Sequence, residues 1–160
     1  MSPMEHSREL KKAFGSARFT GAAFVACLFF YLVLIELVKS RYRPFAGFAR
    51  LTDVQTLRIG LFAAAVALVV LNRVLNGRLL KKGAGPDPAT TVRTLYRAAI
   101  LSLTLAEMPA IIGLVLFFLG GLYKDFYVML FVSLVLIFMY FPRLKNWEAY
   151  LADQPVACRL

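Results

Sequence analysis

The chain has 160 residues, of which 60% are hydrophobic and 18% are charged, and its mean hydropathy is +0.69. Soluble domains average about 45–50% apolar and about 25% charged residues, so the composition argues against a soluble globular protein and excludes a disordered chain. The formal net charge is +10. Because the basic residues lie between long apolar runs, membrane topology and anionic headgroups explain this charge better than nucleic acid does.

Four apolar stretches are predicted to cross a membrane as helices, because backbone polar groups in lipid must be satisfied within the segment. They are Phe19–Val38, Ile59–Leu71 with an extension to Leu75, Ala98–Leu122 and Phe126–Phe141. The second stretch is short, so the sequence leaves open whether it crosses fully. The pattern predicts an all-α polytopic membrane protein whose four helices form two antiparallel hairpins. It divides the chain into a cytoplasmic N-terminal segment 1–18, a transmembrane domain 19–141 and a cytoplasmic C-terminal tail 142–160.

The distribution of basic residues predicts how the protein is oriented. These residues are more numerous in the N-terminus, the second loop and the tail than in the first and third loops. The positive-inside rule therefore predicts a protein of the cytoplasmic (inner) membrane with both termini in the cytoplasm. The residues expected to contact anionic lipid headgroups are Arg78, Lys81, Lys82 and Arg93. On the other side, Glu36 precedes Lys39 by one helical turn, which predicts an interfacial ion pair.

A single carboxyl lies in the middle of the third span. Glu107 has mostly apolar sequence for about two turns on either side, and a charge there costs at least about 2.5–3.5 kcal/mol. The carboxyl is therefore expected to be protonated much of the time or paired. Pro109 has no N–H, so the Leu105 carbonyl loses its helical donor, and Thr104 lies one turn back. These four residues are the predicted ion-binding site; the alternative is a protonated glutamate that only joins two helices.

Small residues on the second span predict a helix-packing face. Gly60, Ala64 and Ala67 lie at helical spacing, and small side chains let helices in lipid approach closely. We expect this face to pack against the third span near the level of Glu107. Gly113 on the third span is the fourth predicted packing residue.

The segment Leu101–Val115, LSLTLAEMPAIIGLV, resembles the carboxylate-bearing helix of rotary ATP synthase c subunits. Such helices carry a leucine-rich run, an acidic residue, a small-apolar stretch and then Gly-Leu-Val. The order of a small-residue helix, a basic loop with proline and an acidic helix is also similar, over the second and third spans. The resemblance implies that Glu107 is the ion-binding carboxylate, and Met108 beside it implies a preference for protons over sodium.

Three functional hypotheses follow. The first is a proton-binding or proton-translocating subunit, the second a non-catalytic accessory or assembly subunit, and the third a protein that binds anionic lipids. The sequence has no metal-ligand spacing, nucleophile motif or phosphate loop, so we expect no enzyme, no metal, no cofactor and no nucleic-acid partner. Because one carboxyl rarely forms a transport path alone, we expect a homo-oligomer or other membrane subunits in the bilayer.

Overall fold

The computed structural model describes residues 3–42, 45, 47–48, 54–82 and 88–143. They form four helices, α1 (Pro3–Arg41), α2 (Val54–Lys82), α3 (Pro88–Gly120) and α4 (Tyr123–Tyr140), and this part of the chain contains no strand. Each helix carries an apolar stretch long enough to cross a membrane. The chain is therefore a small all-α membrane protein with four candidate spans, which confirms the predicted fold class.

The helices are longer than the apolar runs alone indicated. In α2, which has 29 residues, the candidate span covers the 24 residues Gln55–Arg78. This length exceeds the roughly 20 residues that a bilayer requires, because polar residues at both ends continue the helix. Similarly, α1 has 39 residues and begins at Pro3, so residues 3–18 continue the first span as helix.

The third helix is the common neighbour of the other three. It packs against α1, α2 and α4, and α1 also packs against α4. The α3–α4 pair corresponds to one of the two predicted hairpins, whereas α1 and α2 pack mainly on α3 and not on each other. Half of the apolar stretch of α3 is buried, whereas 11% of the stretch in α2 is buried. Most of the surface of α2 consequently faces away from the bundle.

Three apolar clusters follow one another along α3. The first joins Leu10 and Ala17 of α1 to Val92 and Leu95 of α3. The central cluster contains Leu28, Leu103, Ala106, Ala110, Leu136 and Ile137, and thus joins α1, α3 and α4. The third contains Ile35, Phe117 and Phe126. The part of α3 before Glu107 is therefore buried by α1, and the part at and after Glu107 by α1 and α4.

Part of the first loop packs on the end of α3. The Phe48 N–H donates to the Phe118 carbonyl at 2.8 Å, and the Phe45 ring stacks on Phe117 with centroids 4.9 Å apart. Gly47 between them has φ +89° and lies so close to α3 that a Cβ would overlap the Leu119 carbonyl. Only glycine fits this position, because it combines a left-handed backbone with close approach.

Candidate functional site

Glu107 lies in the interior of the bundle and is bound by a tyrosine of the first helix. The Glu107 residue is 7% exposed, and the Tyr31 hydroxyl donates a hydrogen bond to its Oε1 at 2.8 Å. Leu28, one turn before Tyr31, belongs to the central cluster together with Ala106 and Ala110 of α3. The same face of α1 that buries Leu28 therefore brings the Tyr31 hydroxyl to the carboxyl.

A serine of α4 binds the backbone of α3 where proline interrupts the helical hydrogen bonds. Pro109, which is buried, has no N–H to donate. The next residue, Ala110, donates its N–H to Ser133 Oγ at 2.8 Å. The Ser133 hydroxyl in turn donates to the Glu107 carbonyl, over 3.4 Å. Serine hydroxyls of neighbouring helices commonly satisfy such groups in membrane proteins, so α4 supports the backbone that carries the Glu107 side chain.

Thr104 has a different role from the expected one. Its hydroxyl donates to the Ile100 carbonyl of its own helix at 3.0 Å, the bond that threonine commonly makes in a helix interior. The carboxyl of Glu107 is instead bound by Tyr31, which lies 76 positions away in the sequence. Leu105 is half-buried on α3. The four predicted ion-binding residues thus all lie on α3, whereas the hydroxyl that binds the Glu107 carboxyl comes from α1.

Glu107 has no cationic partner among the residues that the structure describes. The ion pairs there are Lys39–Glu36, at 3.5 Å, and Arg58–Asp125, at 2.7 Å. A buried carboxylate without a cation is costly in an apolar environment. The polar group that contacts the carboxyl is instead the uncharged Tyr31 hydroxyl.

A second carboxyl of α1 has the opposite environment. Glu36 is about half exposed and lies 3.5 Å from Lys39, as the sequence predicted. It also accepts a hydrogen bond from the Tyr127 hydroxyl of α4. The Lys39 ammonium lies 5.3 Å from the centroid of the Tyr123 ring. Glu36 is thus paired with a cation and partly exposed, whereas Glu107 is buried beside an uncharged hydroxyl.

Asn72 positions α2 against α3. Its side chain is 1% exposed, and its amide donates to the Ser102 carbonyl at 3.1 Å. The Oδ1 atom has no hydrogen-bond partner within the described part of the chain. Ser102 precedes Glu107 by five residues, or about 7.5 Å along the helix axis. A buried polar contact therefore holds α2 near the level of the carboxyl.

The predicted packing residues are separated by the structure. A Cβ at Gly113 would lie 2.8 Å from the Met129 Cβ, so α3 and α4 approach closely there, whereas a Cβ at Gly60 would meet nothing within 4 Å. Ala64 and Ala67 are exposed. The expected packing of this face against α3 does not occur. The face that packs contains Ala65 and Asn72, seven residues apart, because an asparagine turned to lipid would lose its hydrogen bonds.

The predicted headgroup residues lie at one end of the bundle. Arg78, near the end of α2, and Arg93, near the start of α3, are both exposed. The side chains of Lys81 and Lys82 lie outside the described residues. The exposed guanidinium groups have the chemistry for anionic headgroups, and this role stays a prediction.

Comparisons with known proteins add no functional assignment. No family model, no curated protein and no solved structure matches this chain. No group of three His, Cys, Asp or Glu in the described ranges could hold a metal ion.

Proposed function

We propose that the chain is a proton-binding subunit of a membrane complex or oligomer, and that Glu107 is the group that gains and loses the proton. One observation carries this proposal. The carboxyl is buried in the middle of a membrane span, and its hydrogen-bond partner is a hydroxyl. Intramembrane carboxyls of this kind are expensive to keep and commonly belong to proton pathways.

The contacts of Glu107 are suited to both protonation states. The Tyr31 hydroxyl donates to Oε1, and it can do so whether Oε2 is ionised or carries a proton. Ser133 binds the Glu107 carbonyl and the Ala110 N–H, so the backbone is held independently of the side chain. Glu107 can therefore gain or lose a proton while the hydrogen bonds of Ser133 to the α3 backbone stay in place.

The resemblance of Leu101–Val115 to the carboxylate helix of rotary ATP synthase c subunits supports the same role for Glu107. In this proposal the protein lies in the cytoplasmic membrane with both termini in the cytoplasm, and it binds protons without catalysing a reaction. Other copies of the chain or other subunits supply the rest of a proton path.

Carbodiimide labelling of the full-length protein in vesicles tests the proposal. Apolar carbodiimides react with protonated carboxyls in apolar surroundings, whereas an ordinary glutamate, with a pKa of about 4.3, is ionised at pH 7. We expect Glu107 to be labelled at pH 7 and Glu36 to remain unlabelled, as read by mass spectrometry. Glu107→Gln removes the label, and Glu107→Asp keeps a carboxyl as the matched control. Labelling of Glu36 without Glu107 would contradict the proposal.

A non-catalytic accessory subunit is the second candidate, and the free surface of α2 favours it. Gly60, Ala64 and Ala67 lie on the exposed side of this helix, where small residues would allow a partner helix to approach. This function requires Ala64→Leu to weaken assembly in the membrane while Glu107→Gln leaves assembly and function unchanged. The proton-binding function instead requires that Glu107→Gln abolishes function while the protein still assembles.

A further inference from the structure

An ion pair joins α2 to α4 at the end of the bundle opposite Arg78 and Arg93. Arg58 Nη2 donates to Asp125 Oδ1 at 2.9 Å, and Arg58 Nε lies 2.7 Å from Oδ2. The Asp125 side chain is 8% exposed and that of Arg58 is 44% exposed. Because a guanidinium has five N–H donors, this pairing leaves part of the Arg58 head available to a ligand.

Two recesses share Arg58 as a bordering residue. One, of about 250 Å³, is bordered by Arg58, Tyr123, Lys124 and Asp125 at the start of α4. The other, of about 430 Å³, runs along α2 and is bordered by Arg58, Ile59, Phe62, Ala63 and Val66. Charged side chains thus border the first recess and mainly apolar side chains border the second, and the Arg58 guanidinium borders both. This is the arrangement that an amphipathic ligand requires.

Depth and charge identify the class of ligand. Arg58 lies four residues after the start of α2, and Asp125 lies two residues after the start of α4. Both are therefore at the level where lipid headgroups meet a span. Arg58 and Lys124 carry two positive charges, and Asp125 neutralises one of them. The local excess is positive, and guanidinium groups bind phosphate through paired hydrogen bonds.

We propose that this end of the bundle binds an anionic phospholipid. The phosphate lies between Arg58 and Lys124, and one acyl chain lies along Ile59, Phe62 and Val66 of α2. Asp125 holds one edge of the guanidinium and so orients its remaining donors toward the headgroup. The site is independent of Glu107, and it lies in the other leaflet from Arg78 and Arg93.

Lipid retention by the full-length protein tests this site. The protein is reconstituted with equal amounts of phosphatidylglycerol and phosphatidylcholine, extracted in mild detergent and examined by native mass spectrometry. We expect wild type to retain phosphatidylglycerol preferentially. Lys124→Gln, which leaves the Arg58–Asp125 pair intact, should lower that retention about fivefold, the factor for one basic residue near an anionic surface. Arg18→Gln, the matched loss of one exposed charge near the opposite end of the bundle, should leave retention unchanged.

A second variant tests the acyl-chain contact separately from the headgroup contact. Ala63→Trp fills the apolar recess without changing any charge, and it should also lower phosphatidylglycerol retention. Equal retention by wild type, Lys124→Gln and Ala63→Trp would overturn the proposal. Displacement of the lipid by millimolar inorganic phosphate would also overturn it, because the site would then recognise free phosphate.

Discussion

The Tyr31 hydroxyl donates a hydrogen bond to Glu107 Oε1 at 2.8 Å and thereby joins α1 to α3 within the membrane-spanning part of the bundle. The two residues are 76 positions apart, and each lies beside the central apolar cluster. The carboxyl is thus held by a group that is itself uncharged. This pairing distinguishes Glu107 from Glu36 and Asp125, which both lie beside cations at the end of the bundle.

Tyr31→Phe tests what the Tyr31–Glu107 hydrogen bond contributes to stability and to the reactivity of the carboxyl. The ring packing is preserved while the donor is lost, so the free energy of unfolding should fall by about 0.6–1.7 kcal/mol, the range for hydrogen bonds between membrane helices. Loss of the donor also releases the carboxyl from its contact with α1, so carbodiimide labelling of Glu107 at pH 7 should increase. Unfolding in detergent and mass spectrometry measure the two effects. Tyr42→Phe, at an exposed position, is the control, and equal behaviour of the two variants would contradict the prediction.

Ser133 and Pro109 are expected to be energetically coupled. Ser133→Ala leaves the Ala110 N–H without its hydroxyl acceptor, and the variant should lose about 0.6–1.7 kcal/mol of stability. Pro109→Ala restores a backbone N–H at this position and allows regular helical bonding. Ser133→Ala should therefore cost less in the Pro109→Ala background, by at least about 0.5 kcal/mol in a double-mutant cycle. Additive losses would show that the serine acts independently of the proline.

Two glycine-to-alanine substitutions should have opposite effects. At Gly113 the new Cβ would lie 2.8 Å from the Met129 Cβ and 3.2 Å from the Phe126 Cα, so Gly113→Ala should destabilise the bundle by about 1–3 kcal/mol. At Gly60 the new Cβ would meet nothing within 4 Å. Gly60→Ala should leave stability unchanged or raise it by up to about 1 kcal/mol, because alanine favours the helix. Unfolding titrations in one detergent compare them, and similar losses would contradict the observed orientation of α2.

The two partners of the Arg58–Asp125 pair are expected to respond unequally to removal. Arg58→Gln leaves the buried Asp125 carboxylate without its cation, so we expect a loss of about 1–3 kcal/mol. Asp125→Asn leaves an arginine that is nearly half exposed and remains solvated, so the loss should stay below about 1 kcal/mol. Thermal unfolding at low and high salt measures both variants. A larger loss for Asp125→Asn would contradict this account.

The sequence alone determined the membrane class, the four spans and the isolated position of Glu107. These features depend on contiguous residues, because hydropathy adds along one segment and the proline at 109 acts on its own helix. The Glu36–Lys39 pair is predictable for the same reason, since its members are one turn apart. The sequence did not indicate Tyr31 and Ser133 as partners of the Glu107 region, because both are reached only when other helices pack beside α3.

The tertiary structure alone decided which face of each helix turns inward. The second span carries a small-residue face at Gly60 and another face with Ala65 and Asn72, and both have helical spacing. The buried amide of Asn72 finds the Ser102 carbonyl of α3, and this contact outweighs the close approach that glycine would allow. Arg58 and Asp125, which are 67 positions apart, likewise meet only because α2 and α4 both flank α3. Rotation and pairing of helices depend on such long-range contacts, which composition and periodicity along one segment do not contain.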